Sequence, residues 1–438
     1  MLATACGSSS SGSAGAGAKT SAATTAASAT AAPTTATVAT SAAAASSAAP
    51  APAATTAAKA ACTGKPIKLT YIATLSGPVA FPSQARDVAD GVKAGVTSVN
   101  AECKSGRPLD IAVCDDKSDA NESQACGRKA KGDGSLAIFG GVGTFDGATA
   151  AELPMLLTGG TNPVENTNPN AYPGGSALTL IFGSITAAAS AGVKDYLMVA
   201  LDAAAVRGGV QLAQAVAEGV GIKMDTLYFP PDTTDFAPIA AQISARRPGA
   251  IGMIVPPMVP FIKALDAEGI HPTELPMFTA VSLIPPDVIK ALGTKLDGVY
   301  LISLTAPAQD SSNAGIKQML AEYQAAGIKT DQAEIGNIAV DVWSKTHMVA
   351  DALGKLGADK AAAIDSAGLV AAVTGAGPIT RPEFTPLDFS KPAFPENPVL
   401  SALRIFSRSA TVVRVDKGTY KSVAPFGDVT KPFQLKTG

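Results

Sequence analysis

The sequence predicts an α/β fold built on parallel sheets. Short apolar runs end in glycine or other turn residues, as buried parallel strands do. Stretches with helical spacing of apolar residues follow these runs, and such alternation specifies parallel strands with right-handed crossovers. The chain has 438 residues, which is enough for two domains of ordinary size after a biased N-terminal segment is set aside.

The composition limits the classes of partner. The formal net charge is −2, and only 16% of the residues are charged. Because no basic run is present, we expect neither nucleic acid nor an anionic membrane surface as a partner. No run of about eighteen apolar residues occurs, so we expect no membrane span.

Residues 1–61 form a segment of biased composition. From residue 7 onward it consists almost entirely of Ala, Ser, Thr, Gly and Pro, and such a segment is expected to be a disordered tether. Cys6, with small residues before it and Gly-Ser-Ser-Ser after it, resembles the lipidated cysteine of a bacterial lipoprotein. Since the charged and apolar parts of a signal peptide do not precede Cys6, we expect an internal start at Met1 or a trimmed signal. The alternative is an incidental cysteine in a low-complexity leader.

The first elements alternate between strand and helix. Valines recur at helical spacing from Val88 to Val99, and Gly77-Pro78 ends the first strand. Asp115 and Asp116 follow the second strand, where adjacent side chains point to opposite sides, so a turn or helix-capping role is favoured over a metal or acid–base pair. The predicted elements are a strand at Lys68–Thr74, a helix at Gln84–Asn100, a strand at Leu109–Cys114, a helix at Asn121–Lys131, and strands at Leu136–Phe139 and Leu153–Leu157.

The stretch Leu136–Pro163 carries the main functional signal. Each of its two apolar runs ends in glycines followed by a threonine. Parallel sheets bind ligands beyond the carboxyl ends of their strands, and glycine lets backbone N–H groups approach a ligand closely. We therefore expect these loops to form half of a small-molecule site, with two ordinary strand-to-helix turns as the alternative. The loop residues concerned are Gly140, Gly141, Gly143, Thr144, Gly159, Gly160 and Thr161.

The remaining elements continue the alternation. In chain order they are a crossover at Leu178–Phe182, a strand at Tyr196–Leu201, a helix at Val206–Val220, a strand at Lys223–Tyr228, a helix at Phe236–Ala245, a strand at Ala250–Val255, a helix at Pro260–Gly269, a strand at Met277–Val281, a return crossover at Gly298–Ser303, helices at Ser311–Gly327 and Ile338–Leu356, and late strands at Ala402–Phe406 and Ala410–Val415 with a hairpin turn at Lys417-Gly418. Trp343 and His347 share one face of the predicted helix Ile338–Leu356, which we interpret as packing.

Several of these segments together resemble a known family. The motifs are IKLTYIATLSGPVA, Asn-Ala at the end of the first helix, Gly-Arg-Pro-Leu, Cys-Asp-Asp-Lys-Ser-Asp-Ala-Asn and IFGGVGT. In this order and spacing they resemble type I periplasmic binding proteins, and more closely the branched-chain amino-acid-binding lipoproteins of ABC importers. The likeness covers Lys65–Ala424. It implies two doubly wound lobes joined by three crossover segments and closing on a ligand, with lobe 1 at 62–183 plus 305–376 and lobe 2 at 184–304 plus 377–438.

The resemblance also implies first-lobe ligand contacts. The loop after the third strand of the family offers a hydroxyl to a ligand carboxylate, a position held here by Thr144. The loop after the fourth strand offers a backbone group and a threonine, matched by Gly159 and Thr161, with Gly160 between them. Ser76 and Phe81, which follow the first strand, are expected at the mouth of the cleft, with a packing role as the alternative.

The second lobe departs from the family pattern. Val206 stands where amino-acid binders place an aromatic residue. Ile254–Pro257, which include Pro256, stand where those proteins place aromatic or polar residues that cover the ligand. Ser282 stands where they place an acid for the ligand ammonium. Because a buried ammonium without a counter-charge costs several kcal/mol, a small apolar carboxylate or a neutral compound fits better than a free amino acid. Asp202 supplies the charge under an alternative alignment.

Cysteine usage fits an exported protein. Besides Cys6, the four cysteines lie in the first lobe and allow three pairings. We favour Cys114–Cys126, since a strand end and the facing side of the next helix lie close together, and this leaves Cys62–Cys103. The alternative is four buried thiols in a cytosolic protein.

Motifs for enzymatic chemistry are scarce. The sequence has no nucleophile elbow, P-loop or HExxH motif, and no dinucleotide fingerprint. His271 and His347 stand alone, so we expect no metal and no cofactor. We therefore predict a monomeric, lipid-anchored, extracytoplasmic receptor that binds a small molecule and delivers it to an ABC permease. A signalling sensor of the same fold and an enzyme on a doubly wound scaffold are the alternatives.

Overall fold

The computed structural model describes residues 62–77, 80–141, 143, 146–161, 163–255 and 257–436. The predicted tether and Cys6 lie outside these ranges. Within the described residues, the first sheet consists of β1 (Ile67–Ala73), β2 (Leu109–Asp115), β3 (Ile138–Phe139), β4 (Met155–Leu156) and β5 (Ala171–Tyr172). All pairs are parallel, and the strand order is β2-β1-β3-β4-β5.

The helices that follow the first strands begin at clear local signals. They are α1 (Pro82–Glu102), α2 (Ala120–Gly132), α3 (Asp146–Ala150) and α4 (Pro163–Thr167). Pro82 takes the first position of α1, where its missing N–H would have no intrahelical partner. Asp119 caps α2 by accepting hydrogen bonds from the N–H groups of Asn121 and Glu122. Asp115 likewise accepts loop hydrogen bonds from Leu75 and Lys117, which confirms the turn role predicted for this acidic run.

The second sheet begins after another helix. Its first part comprises α5 (Ala177–Ser190), β6 (Asp195–Leu201), α6 (Ala204–Gly219), β7 (Lys223–Phe229), α7 (Ala237–Arg246), β8 (Ala250–Ile254), α8 (Met258–Ala267), β9 (Met277–Ala280), α9 (Pro286–Leu292) and β10 (Tyr300–Ser303). A short 3-10 turn, Val281–Leu283, follows β9.

The chain then returns to the first lobe before completing the second sheet. The elements are α10 (Ala314–Ala325), α11 (Asn337–Leu356), α12 (Ala358–Ala362), α13 (Ser366–Thr374), β11 (Ile379–Arg381), β12 (Phe384–Leu387), β13 (Ser409–Asp416) and β14 (Thr419–Asp428). The second sheet has the order β14-β13-β10-β9-β8-β6-β7. In it β13 pairs antiparallel with β10, and β14 pairs antiparallel with β13. Lys417 and Gly418 form the turn between β13 and β14.

Each sheet is covered by helices on both faces. In the first lobe, apolar side chains of α1, α11 and α13 form one core, and those of α2 and α3 form a smaller one. In the second lobe, α7, α8 and α9 cover one face, and α5 and α6 cover the other. Both lobes belong to one compact unit of the chain, Lys59–Gly438. The parallel sheets and two-lobed organisation that the sequence predicts are therefore present.

The predicted crossover Leu178–Phe182 is helical, and this detail of the prediction is wrong. Ser176 caps α5 by accepting the N–H of Leu178, and the apolar run continues to Ala188 inside the second-lobe core. A helix buried on most sides shows no polar periodicity, so its apolar run cannot be told from a strand. The packing also places all of α5 in the second lobe, although we expected the lobe boundary after residue 183.

The late segment also differs from expectation. Ala402–Phe406 is not a strand, because its backbone groups bond to loops: Arg404 donates to Asn166, and Ile405 and Phe406 accept from Ala393 and Asp388. The partner of β13 is instead β14, on the other side of the predicted turn. Before this, β12 packs Phe384 and Leu387 into the first-lobe core, so part of 377–438 lies with that lobe.

Two disulfides fasten the first lobe. Cys62 bonds to Cys103 at the end of α1, and Cys114 at the end of β2 bonds to Cys126 in α2. Both predicted pairings are confirmed. The predicted packing of Trp343 against His347 is confirmed as well, with ring centroids 4.7 Å apart and both side chains buried.

Candidate ligand-binding cleft

A cavity of about 240 Å³ lies between the two lobes, at the carboxyl ends of their strands, and we call it the cleft cavity. Residues in the first turns of α1 and α11 also line it. Its lining comprises Tyr71, Thr74, Phe81, Gln84, Gly159, Thr161, Leu180, Val281, Ser282, Leu283, Leu304, Thr305, Asn337, Ile338 and Asp341.

The strand orders explain why a cavity forms at this position. In the first sheet the order reverses between β1 and β3, and in the second sheet it reverses between β6 and β8. Helices leave to opposite faces at such a switch point, which opens a crevice beyond the strand ends. Tyr71 and Thr74, near the end of β1, line this crevice, and Tyr71 is buried.

The tyrosine is a hydrogen-bond donor at ordinary pH. Burial raises the pKa of the Tyr71 hydroxyl well above its usual value, and the nearby Asp341 carboxylate raises it further. Both effects disfavour a phenolate, so the hydroxyl keeps its proton.

Contacts within the chain account for the glycines after β3. A Cβ on Gly140 would lie 2.5 Å from the Tyr71 ring, and one on Gly141 would lie 1.8 Å from the carbonyl oxygen of Ile72. A Cβ on Gly143 would lie 2.3 Å from the Asp116 carboxylate. These glycines therefore permit close packing against β1 and the loop after β2, whereas we expected close approach to a ligand. Thr144, predicted beside them, lies outside the described residues.

The backbone amides after β4 are already used. The N–H groups of Gly160 and Thr161 each donate to the buried Glu165 carboxylate at 2.9 Å, and the N–H of Gly159 donates to Gly141. We expected these amides to face a ligand, but an acid of the chain itself accepts two of them. The exposed side chain of Thr161 still lines the cleft cavity, so its hydroxyl is the group this loop offers.

Ser282 and Phe81 both line the cleft cavity. Ser282 lies in the turn after β9 and lines the cleft cavity from the second lobe. Phe81 precedes α1 and lines the same cavity, and its ring also packs against the second-lobe core. The structure thus brings Thr161, Ser282 and Phe81 together from separate parts of the sequence.

Two other predicted residues do not line this cavity. Ser76 donates its hydroxyl to Asp115 at 2.5 Å, on an exposed loop. Asp202 forms an ion pair with Arg207 on the protein surface, and the hydrogen bond from Arg207 lowers the pKa of the Asp202 carboxyl. Asp202 therefore already has a counter-charge within the protein. Pro256 lies outside the described residues.

The acid at the cleft is Asp341, which the sequence analysis missed. Its carboxylate lines the cleft cavity and bonds to the ammonium of Lys345 at 2.8 Å, one helical turn later in α11. The Lys345 side chain is 1% exposed. Burial raises the pKa of Asp341, and the Lys345 ammonium opposes this effect. The signal in the sequence was the oppositely charged pair at i, i+4, since these two side chains share one face of the helix.

A second, larger cavity of about 580 Å³ adjoins the cleft cavity in the second lobe, and we call it the apolar chamber. It shares Thr161, Leu180, Ser282 and Leu283 with the cleft cavity. The predicted residue Val206 lines it from α6. Its other side chains include Leu178, Ile181, Met198, Leu212, Met253, Ile254 and Phe278.

The described residues contain no group of three or more His, Cys, Asp or Glu side chains that could hold a metal ion. They also contain no helix that is long and apolar enough to cross a membrane.

The comparison with protein families agrees with this geometry. A family model described as periplasmic binding protein matches residues 66–400. The chain belongs to this family. Periplasmic binding proteins of this type are extracytoplasmic substrate-binding receptors of ABC transporters and are not enzymes. No curated protein sequence matches this periplasmic binding protein significantly.

Solved structures show the same fold at low sequence identity. An extracellular ligand-binding receptor from Verminephrobacter eiseniae is 19% identical, with a TM-score of 0.66 over 82% of this chain and 100% of that chain. A solute-binding protein from R. palustris in complex with 4-hydroxybenzoate is 19% identical, with a TM-score of 0.67 over 83% and 97% of the two chains. A possible leucine/isoleucine/valine-binding protein from Rhodopirellula baltica is 14% identical, with a TM-score of 0.66 over 84% and 98%.

Proposed function

We propose that this periplasmic binding protein captures a small carboxylate with an apolar body and delivers it to the permease of an ABC importer. The observation that carries the proposal is the chemistry of the two adjoining cavities. The cleft cavity presents hydroxyl and amide side chains from both lobes, and the apolar chamber opens beside it. A ligand with one polar end and a hydrocarbon body complements this arrangement.

The charge balance favours a carboxylate over an ammonium. Asp341 is the one acidic or basic side chain among the described residues that line the two cavities, and Lys345 neutralises it within the protein. A buried ligand ammonium would therefore find no carboxylate free to pair with it, and burial of such an unpaired charge costs several kcal/mol. A carboxylate can accept hydrogen bonds from the hydroxyls of Tyr71, Thr161 and Ser282, and the N-terminus of α11 also favours negative charge.

Two structural neighbours mark the alternatives. The R. palustris protein was solved with a hydroxybenzoate, an aromatic carboxylate, whereas the name of the Rhodopirellula protein points to amino acids. The first supports the proposed ligand class, and the second makes a branched-chain amino acid the natural competing ligand.

Matched ligand pairs test the proposal. Isothermal titration calorimetry on the full chain would compare leucine with 4-methyl-2-oxopentanoate, which differs at the amino group, and would include 4-hydroxybenzoate. We expect the two carboxylates without an ammonium to bind at least tenfold more tightly than leucine. Tighter binding of leucine would overturn the proposal and make Asp341 the ammonium partner.

A variant locates the ligand. Thr161→Val removes one hydroxyl from the shared wall of the cavities, and Thr161→Ser keeps it. Loss of a hydrogen bond to a charged group costs about 1.5–3 kcal/mol, so we expect the valine variant to bind the carboxylate at least tenfold more weakly. Equal affinity of both variants and the wild type would show that this wall does not contact the ligand.

The membrane attachment and the permease are part of the same proposal. Cys6 would carry a lipid, and residues 7–61 would tether a monomeric receptor near its permease. Cell fractionation of a Cys6→Ser variant is the test: we expect it to leave the membrane fraction and to support less uptake of the ligand. A variant that stays with the membrane would contradict lipid attachment at Cys6.

A further inference from the structure

The apolar chamber is larger than a compact ligand requires. Its volume of about 580 Å³ exceeds the 240 Å³ of the cleft cavity more than twofold. At about 30 Å³ for each molecule in liquid water, this is room for roughly twenty waters. Pockets of this size, about 300–1,000 Å³, commonly enclose drug-sized molecules.

Two hydroxyls of the chamber walls, those of Ser184 and Thr279, are directed into the protein. The hydroxyl of Ser184 donates to the carbonyl oxygen of Ile181 at 2.7 Å and accepts from Tyr196 at 3.1 Å. The hydroxyl of Thr279 donates to the carbonyl oxygen of Met253 at 2.7 Å. These groups have their partners within the chain, so the surface they leave to an occupant is mainly hydrocarbon from side chains such as Phe278.

A glycine pair in α6 widens the chamber. Gly208 and Gly209 both line it, although glycine within a helix is destabilising relative to alanine. A Cβ at Gly209 would lie 3.4 Å from Leu178 and 3.5 Å from Ile181, whereas a Cβ at Gly208 would meet no atom within 4 Å. A side chain at Gly208 would therefore extend into open space.

The chamber and the cleft cavity share part of their walls. Thr161 and Leu180 line both from one side, and Ser282 and Leu283 line both from the other. A ligand held at its polar end beside Thr161 and Ser282 would have its other end directed past Leu180 and Leu283 into the chamber.

We infer that the ligand carries an elongated hydrocarbon body, longer than a branched-chain side chain or a single ring, and that this body occupies the apolar chamber. The inference deepens the proposed function and rests on it for the carboxylate end. It assigns the length selectivity of the receptor to the chamber walls that α5 and α6 provide, which include the exposed Gly208.

A homologous series measures the length of the occupied space. Calorimetric titration of the full chain with straight-chain carboxylates from butanoate to dodecanoate should give affinities that rise about fourfold for each added methylene until the chamber is filled. An affinity that is independent of chain length would overturn the inference while leaving the receptor proposal intact.

A filling variant assigns the effect to the chamber. Gly208→Leu places a good helix former where a Cβ meets no neighbour, so we expect a folded protein whose affinity gains less from each added methylene than that of the wild type. Gly219→Leu is the control, because a Cβ there also meets no atom within 4 Å and the residue does not line the chamber. Equal length dependence in both variants would contradict the assignment.

A neutral probe separates the two proposals. N-phenyl-1-naphthylamine has no carboxylate and fluoresces when it enters an apolar site. Binding by the wild type and by Gly219→Leu, but not by Gly208→Leu, would support the chamber even if no carboxylate binds, and the failure would then belong to the carboxylate proposal. Equal fluorescence in all three proteins, bright or absent, would count against the chamber.

Discussion

The Asp287 carboxylate, in the first turn of α9, accepts a hydrogen bond of 2.6 Å from the backbone N–H of Ser83, in the first turn of α1. The two helices belong to different lobes, and each begins with a proline. The bond therefore links the lobes beside the cleft cavity, which Phe81 and Gln84 of the same region line.

Removing this link is expected to weaken ligand binding. Hydrogen bonds to charged groups contribute about 1.5–3 kcal/mol, and we expect part of this to favour the arrangement that holds the ligand. Asp287→Ala should reduce affinity roughly tenfold in calorimetry. Asp297→Ala is the control, because Asp297 bonds to Gly418 within the second lobe. If the two variants bind equally, the Ser83 bond does not contribute to the binding arrangement.

The buried carboxyl of Asp87 should make stability depend on pH. Burial raises its pKa to about 7, although Arg86 and the N–H of Gly336 favour the charged form. The folded chain then holds this proton up to about pH 7, whereas an unfolded chain releases it near pH 4. Stability from this group is therefore greatest below about pH 4 and falls as the pH rises towards 7, by roughly 4 kcal/mol in total.

Asp87→Asn removes this titration. Urea unfolding at pH 5, 6, 7 and 8 should show a smaller loss of stability with rising pH in the variant than in the wild type. Asp110→Asn, an exposed position on β2, serves as the control and should follow the wild type. Parallel pH profiles for Asp87→Asn and the wild type would refute the role of Asp87.

The Asp341–Lys345 pair should behave as a buried ion pair. Asp341→Asn leaves the Lys345 ammonium without its carboxylate, and such a change costs about 3–5 kcal/mol. The double variant Asp341→Asn/Lys345→Met should recover most of this stability, since no buried charge remains. Unfolding followed by the fluorescence of Trp343, the one tryptophan of the chain, would measure both. Equal stabilities of the single and double variants would mean that the ammonium is not the source of the cost.

The two disulfides should differ in their contribution to stability. They span sequence separations of 41 and 12 residues for Cys62–Cys103 and Cys114–Cys126. The chain-entropy model then gives about 4 and about 3 kcal/mol. Paired Cys→Ala variants, compared by denaturant unfolding, should show the larger loss for the first bridge. The reverse order would show that native contacts rather than loop length dominate.

Local patterns were sufficient for most of the fold. The helical spacing of valines in α1 and the short apolar strands identify their elements, because each pattern is complete within its own segment. The prediction for the α5 segment around Phe182 was wrong, because burial on most sides removes the helical periodicity of apolar residues. The strand predicted at Ala402–Phe406 was wrong, because its backbone groups form hydrogen bonds with loops that are distant in sequence.

The site was less predictable, because its chemistry depends on contacts between distant segments. Thr161 was found from its loop position after a strand, whereas Phe81 and Ser282 came from the comparison with the resembling family. The capture of the Gly160 and Thr161 amides by Glu165 follows from the folding of the loop, and Asp341 joins the cleft only through the packing of α11. The chamber is lined by residues from several elements distant in sequence, including α5, α6, β8 and β9, and the sequence gives no direct measure of such a space.

The position of Cys62 gives the receptor a mechanical property. Any pull on the chain that precedes Cys62 first reaches a residue bonded covalently to Cys103 at the end of α1. Only afterwards would it act on β1, whose hydrogen bonds to β2 and β3 hold the centre of the first sheet. The oxidised protein should therefore withstand a force from its N-terminal side that would unzip β1 in the reduced protein.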